Sequence, residues 1–312
     1  MILVTGATGF VGSALVAELR RRELGFRAVS RSERDGFYRV GDINETTDWS
    51  AALPDIDTVV HLAARVHVMR ETVADPTAAF RAANVTATIN LARQAAAAGV
   101  RRFIYMSSVK VNGEATPKDQ PFTPAEMPKP QDAYGLSKWE AEEALFQLGR
   151  ATRMEIVIIR PPLVYGPGVK ANFASLMKWT RRGVPLPLAA VENKRSLVYV
   201  GNLADFILRC AEHPAAANRV FLVSDFADLS TAELITRLAK AMNRKPNLIT
   251  VPPSLLKTAA RIVGKGDMAQ RLLGSLQVDP SDDRELLGWT PPYPIDEALR
   301  LTVEAFLREE NT

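Results

Sequence analysis

A single cysteine, Cys210, stands in the 312 residues, so no intrachain disulfide can form and a reducing, cytoplasmic setting is expected. Its surroundings, Phe206-Ile207-Leu208-Arg209-Cys210-Ala211, read as a buried helix face and give a nucleophile no support. No apolar run reaches the ~18 residues that a membrane-crossing helix needs, so no insertion is expected. No secretory leader is expected either, because the N-terminal apolar stretch is broken by Thr5-Gly6 and lacks a cleavage pattern. Charge of one sign is nowhere concentrated. The formal net charge is +4, yet Arg20-Arg21-Arg22, Arg101-Arg102 and Arg181-Arg182 sit at separate helix ends and solvent faces. That scatter argues against a nucleic-acid partner. Internal repeats and low-complexity segments are absent, and no metal site is expected. What remains is a hydrophobic share of 47% and a charged share of 24%, ordinary for a globular chain of one large domain or two modest ones.

Short β-branched runs alternate with longer helical patterns through the first half, as in βαβ units. Strands are predicted at 1–4, 27–30, 58–62, 103–106 and 155–159, and helices at 10–24, 76–98 and 133–148. A proline-rich polar loop fills 112–131. After Arg160-Pro161-Pro162 the rhythm changes. Helices at 173–182, 201–213 and 230–242 mix with short strands at 196–200 and 219–223, and 252–312 is mostly helical. The expected fold is α/β, a Rossmann doubly wound parallel sheet over 1–165 followed by a smaller α/β substrate-binding domain over 166–312 that shares elements with the first.

Thr5-Gly6-Ala7-Thr8-Gly9-Phe10-Val11-Gly12 follows the first strand and opens a helix. Glycines there allow a sharp turn and close approach of a pyrophosphate, and the helix N-terminus offers free amides and a positive dipole end. Tyr134-Gly135-Leu136-Ser137-Lys138 stands at another helix start, with phenol and ammonium four residues apart on one face. A free phenol titrates near 10, too high for proton exchange at neutral pH, and a neighbouring cation is expected to lower it. Between these two motifs lies the strand end Met106-Ser107-Ser108-Val109-Lys110-Val111-Asn112-Gly113.

Glycines at 6, 9 and 12, with a Tyr-x-x-x-Lys a hundred-odd residues on, resemble the extended short-chain dehydrogenase/reductase family, also described as the NAD-dependent epimerase/dehydratase family. The likeness covers nearly the whole chain. It implies catalysis by Ser108, Tyr134 and Lys138, with Ser107 as the alternative hydroxyl one residue out of register. It implies a nicotinamide dinucleotide held by Gly6, Thr8, Gly9, Phe10, Val11 and Gly12, by Ser30 and Arg31, by Asp42 and Ile43, by Leu62, Ala63 and Ala64, and by Asn84, Tyr134 and Lys138. Asn84 is expected to order the site without reacting, and His61 to be structural. At the end of strand two, where an aspartate would hold the ribose hydroxyls of NAD, Ser30-Arg31 stands instead. A guanidinium suits a 2′-phosphate, so NADP(H) is favoured, with NAD(H) the alternative.

Two departures from the family's pattern narrow the chemistry. Dehydratases carry Asp-Glu directly after the catalytic hydroxyl, whereas this chain has Val109-Lys110, which cannot supply carboxylate acid and base. Leu163 replaces an asparagine that commonly helps bind the nucleotide phosphates. The resemblance points to Ser108, Asn172, Arg195 and Arg271 for the substrate, the arginines on its diphosphate, and to a homodimer through 76–98 and 133–148. The expected activity is NADPH-dependent reduction of the 4-keto group of a UDP-2-acetamido-2,6-dideoxy-hexulose for surface polysaccharide. Alternatives are a UDP-hexose 4-epimerase acting on glucose or N-acetylglucosamine, and a non-catalytic nucleotide-binding protein on the same fold.

Overall fold

A computed structural model describes residues 1–66, 75–262, 264 and 266–310, apart from the side chains of residues 260, 267–269 and 271. Seven strands form one sheet: β1 (Ile2–Thr5), β2 (Phe26–Ser30), β3 (Tyr38–Arg39), β4 (Thr58–His61), β5 (Arg102–Met106), β6 (Glu155–Arg160) and, after a separate pair β7 (Leu163–Tyr165) and β8 (Leu197–Tyr199), β9 (Arg219–Leu222). The spatial order is β3-β2-β1-β4-β5-β6-β9 and every pairing is parallel. Parallel strands need helical crossovers, so both faces are covered, and β4 and β5 are buried at every residue. The chain order reverses at β1 and β4, which places a crevice beyond their carboxyl ends.

Helices α1 (Phe10–Arg21), α2 (Pro76–Arg81), α3 (Ala87–Ala97) and α4 (Ala133–Thr152) belong to the first half. They are followed by α5 (Ala171–Arg182), α6 (Val200–Glu212), α7 (Thr231–Ala241), α8 (Pro253–Ile262), α9 (Gly266–Leu273), α10 (Ser281–Leu287) and α11 (Ile295–Glu309). On one sheet face Leu15 and Leu19 of α1 pack with Leu203, Phe206 and Ile207 of α6 and with Trp289. On the other, Leu91 and Ala95 of α3 and Leu145 of α4 meet Phe103, Tyr105, Ile156 and Ile158. A third cluster joins Phe173 and Met177 of α5, Ile235 and Leu238 of α7, and Leu299 and Val303 of α11. Each such fully buried side chain contributes about 1.5–3 kcal/mol relative to exposure. Residues after 165 therefore complete the first core as well as building their own.

Several boundaries differ from the sequence reading. The helix expected over 76–98 is interrupted by a π-helical turn, Ala82–Thr86, that carries buried Asn84. The widened turn lets the Asn84 amide reach sideways to the neighbouring loop and to α4, contacts a regular periodicity does not reveal. The edge strand β3, just before Gly41-Asp42, is two exposed residues with no apolar alternation. The loop over 112–131 is stitched to the far end of the chain: Thr116 N donates to Ser275 O at 3.0 Å and Phe122 N to Gln277 O at 2.9 Å. Among the described residues no helix is long and apolar enough to cross a membrane.

Candidate active site

The glycine turn closes where β1 meets α1. Gly6 has φ +64°, and a Cβ there would lie 2.7 Å from the Ala63 amide nitrogen. A Cβ on Gly12 would drive into the Gly6 carbonyl. Both glycines thus serve the close seating of α1 against β1 and the end of β4. Gly9 differs: it is exposed, its N–H donates to Gly6 O at 2.9 Å, and it is the N-cap of α1 without any side-chain cap. Thr8 is exposed beside it, and Phe10 and Val11 turn partly inward. An uncapped helix start with no acidic residue in its first turn leaves amide donors and the positive dipole end facing outward, which suits an anion such as a pyrophosphate. These residues fit a dinucleotide.

The edges of that crevice are set by strand ends. Ser30 Oγ donates to Ser32 O at 2.6 Å. The Arg31 guanidinium and the Asp42 carboxylate lie 4.0 Å apart, and both are mostly exposed. Ile43 packs partly against the core beneath. Leu62 is partly buried, Ala63 N donates to Thr5 Oγ1 at 3.3 Å, and Ala64 follows in the loop. His61 is buried between β1 and α3, with Nδ1 2.7 Å from Thr5 Oγ1 and Nε2 3.0 Å from Thr88 Oγ1. Burial and the nearby Lys138 ammonium push it down to about 3, so it is neutral and both ring nitrogens are occupied. Asn84 is likewise consumed: it accepts from Arg65 N at 2.8 Å and donates to Arg65 O and Ser137 Oγ at 3.1 and 3.0 Å. It pins the loop after β4 to α4.

Tyr134 and Lys138 lie near the end of β5 on α4, whose N-cap is Asp132, accepting from Gly135 N at 2.6 Å. The ammonium of Lys138 is 4.5 Å from the Tyr105 ring centre and 5.8 Å from that of Tyr134. Its Nζ donates to Met106 O at 2.8 Å. Phe80 of α2 meets Tyr134 edge-on at 6.0 Å. Ser108, which caps the 3-10 turn Val109–Val111, lies on the Tyr134 side, whereas Ser107 Oγ is turned inward onto Glu142. The two serines, ambiguous in register from sequence, therefore point to different partners.

The phenol itself departs from expectation. Burial and the Asp132 carboxylate push Tyr134 up to about 12, against a downward pull from Ser108. Burial of the phenol itself is the largest cause, and it outweighs the expected lowering. Burial also drives Lys138 down to about 7, against an upward pull from Glu142, so near neutral pH much of its charge is lost. At rest the phenol holds its proton.

The sequence reading gave two further groups in this region no role at the site. Arg160, at the end of β6, bonds Glu142 through Nε and Nη2 at 3.0 and 2.5 Å and donates from Nη1 to Asn112 Oδ1 at 3.1 Å. Lys110 reaches from the 3-10 turn to Asp132 and, at 3.0 Å, to Glu114. The signal for the first was available: Tyr134, Lys138 and Glu142 recur at four-residue spacing on one helix face.

The substrate side is less converged. Arg195 donates to Gly274 O at 3.1 Å, immediately after α9, the helix that carries Arg271; the Arg271 side chain lies outside the described residues. Asn172 is exposed in the first turn of α5, and Leu163 is 44% exposed at the start of β7.

A UDP-glucose 4-epimerase from Vibrio cholerae is 47% identical over 316 residues, covering 99% of this chain and 96% of its own. Two solved structures share the fold. MoeE5 in complex with UDP-glucuronic acid and NAD has TM-score 0.78 at 24% identity and 99% coverage of both chains. RMD from Pseudomonas aeruginosa, complexed with NADPH, has TM-score 0.76 at 23% identity and 98% coverage of both. The sequence model for the NAD dependent epimerase/dehydratase family matches residues 2–224, a span that takes in all seven strands of the sheet and both candidate motifs. On that match, and on the Vibrio relative's identity from end to end, the chain belongs to the NAD dependent epimerase/dehydratase family and is an enzyme.

Proposed function

We propose that this enzyme is a UDP-hexose 4-epimerase. The observation that carries the reading is the 47% identity to the Vibrio UDP-glucose 4-epimerase over 99% of this chain. It ranks the epimerase above the 4-keto reductase favoured on sequence alone.

In this reading Gly6, Thr8, Gly9, Phe10, Val11 and Gly12 hold the pyrophosphate of the dinucleotide. Ser30, Arg31, Asp42 and Ile43 surround its adenosine end, and Leu62, Ala63 and Ala64 run beneath it. Asn84 acts indirectly, by fixing the loop at Arg65. The bound dinucleotide supplies hydride exchange with C4 of the sugar and, when oxidised, a positive charge beside the phenol. Tyr134 Oη takes the proton from O4 and later returns it, and Ser108 Oγ hydrogen-bonds that oxygen. Lys138 Nζ leaves the Met106 carbonyl for the ribose hydroxyls and, once charged, favours the phenolate. Arg195, Arg271 and Asn172 hold the nucleotide diphosphate. Residues 166–312 form the substrate-facing part, and a homodimer would use the exposed faces of α2, α3 and α4.

The reductase remains the second reading because of one feature, the Ser30-Arg31 strand end. It offers no carboxylate to ribose hydroxyls and leaves an exposed guanidinium for a 2′-phosphate. Asp42, 4.0 Å away, partly neutralises that guanidinium, which weakens the preference for NADP(H) over NAD(H). Solved neighbours of this fold hold either cofactor.

Purified protein supplied with UDP-glucose or UDP-N-acetylglucosamine is expected to form the C4 epimer without consuming added nicotinamide. Tyr134→Phe should slow this about 10²- to 10⁴-fold. Stoichiometric NADPH oxidation by a UDP-4-keto-6-deoxy-N-acetylhexosamine, with no epimerisation of either UDP-sugar, would replace the epimerase by the reductase.

A further inference from the structure

The 3-10 turn that follows the candidate hydroxyl and the helix that carries the phenol are joined by a charged clamp. The Lys110 ammonium lies on the Asp132 carboxylate and 3.0 Å from that of Glu114. Asp132 in turn caps α4 two residues before Tyr134, and Lys110 N–H donates to Ser108 Oγ at 3.3 Å. The backbones are equally close: a Cβ on Gly135 would lie 2.8 Å from Lys110 O. One lysine thus touches Ser108 itself and the helix cap two residues before Tyr134, in the position that holds Val109-Lys110 instead of two carboxylates.

We propose that Lys110 is a positioning residue: through Asp132 it holds the Ser108 turn against the start of α4 and offsets the negative charge that Tyr134 would otherwise face. This rests on Tyr134 being the proton-transfer group of the reading above.

The surroundings of Tyr134 leave Lys110 a distinct part. From α4 it faces Asp132 and Lys138, with Glu142 one turn behind. From beyond the end of β5 it faces Ser108, and from β5 the buried Tyr105, which an ionised Tyr134 pushes further up. From α2 it meets uncharged Phe80, whose ring carries the Arg65 guanidinium at 5.7 Å. Asp132 is the carboxylate that raises the phenol, and Lys110 is the cation seated on it. Lys110, Asp132 and Glu114 together sum to one negative charge. Removing the lysine makes that two, and removing the Asp132 charge makes it zero. A charge at this range in a partly solvated site moves a neighbour by roughly one pH unit.

The test is the ionisation of Tyr134 followed by ¹³Cζ-tyrosine NMR on the full-length protein with NAD added, its line assigned by its loss in Tyr134→Phe. Lys110→Met is expected to raise the midpoint by roughly one pH unit and Asp132→Asn, which keeps the helix cap, to lower it by a similar amount. Lys110→Arg should return it to the wild-type position, and if the methionine variant does not fold, the fall expected in Asp132→Asn still decides, an unmoved or raised midpoint overturning the proposal. A strut without electrostatic work would leave the midpoint unmoved or shift it the same way in both variants, and either result overturns the proposal. Activity of Tyr134→Phe separates the two readings: if it persists, the proton-transfer role falls while the titration still decides the clamp.

Discussion

Lys138 and Glu142 lie one turn apart on the same face of α4, and both are buried, at 2% and 1% exposure. Glu142 is compensated in full: Arg160 grips both of its oxygens, Ser107 donates to it, and Arg160 spends a third donor on Asn112. Lys138 has one backbone carbonyl and two aromatic faces, and among the described residues no carboxylate within ion-pair distance. A buried charge without a partner is costly and here shows as an amine driven down to about 7. Helix position is nearly identical for the two, so the partners make the difference. The satisfied ion fastens β5, β6 and α4 together, while the unsatisfied one keeps donors free for something that arrives later, the ordinary mark of a site that binds.

Three substitutions bear on that contrast, and the largest effect is expected at Lys138. Lys138→Met should reduce turnover about 10²- to 10⁴-fold while leaving thermal stability unchanged or higher. The pH dependence gives the sharper readout. Between about 7 and the ordinary 10.5 the unfolded chain binds a proton at Lys138 that the folded chain does not. Folding stability therefore rises with pH across that window, and its Lys138 contribution disappears in the methionine variant. Unfolding midpoints measured at pH 7, 8.5 and 10 check this. A wild-type protein and variant of equal slope would mean that the amine is solvated and charged, and the comparison would fail.

Glu142→Gln should behave in the opposite sense. It leaves Arg160 buried and only half satisfied, a loss of about 3–5 kcal/mol for such broken pairs, seen as a large fall in the denaturation midpoint. Activity in the surviving folded fraction should fall much less than in Lys138→Met. Equal losses of turnover in the two variants would erase the distinction between the fastening and the functional charge.

The smallest effect belongs to Asp283, a buried acid far from the glycine turn that burial pushes up to about 7. The folded chain keeps a proton there that the unfolded chain releases above about 4, so its contribution to stability is lost as pH rises through 7. Asp283→Asn can still accept from Leu222 N, now 3.2 Å from the carboxylate. It should raise Tm by a few degrees at pH 8 and leave turnover alone. An unchanged or lowered Tm would mean that the ionised acid is accommodated, and that buried charge in this protein does not report on partners.

Local chemistry made much of this legible. Gly6 and Gly12 announced a phosphate-type turn because only glycine tolerates the approach of Ala63 and of the Gly6 carbonyl. The apolar run from Thr58 to Leu62 marked β4 as a strand covered on both faces. The serine register could not be read, since Ser107 and Ser108 differ only in which way the chain turns them: one onto Glu142, the other toward Tyr134. The π-turn at Asn84 was hidden for a related reason, its cause being contacts with Arg65 and Ser137 from other elements.

Sequence alone determined the αβ alternation, the glycine turn and the Tyr134–Lys138 pair, because spacing of four residues or fewer fixes neighbours on a turn or a helix. Tertiary structure decided which charges are paired. Lys110 with Asp132 lies 22 residues apart along the chain and Glu142 with Arg160 lies 18, separations that no local rule spans. It also decided the ionisation of Tyr134 and Lys138, since desolvation depends on what the whole fold places around a group.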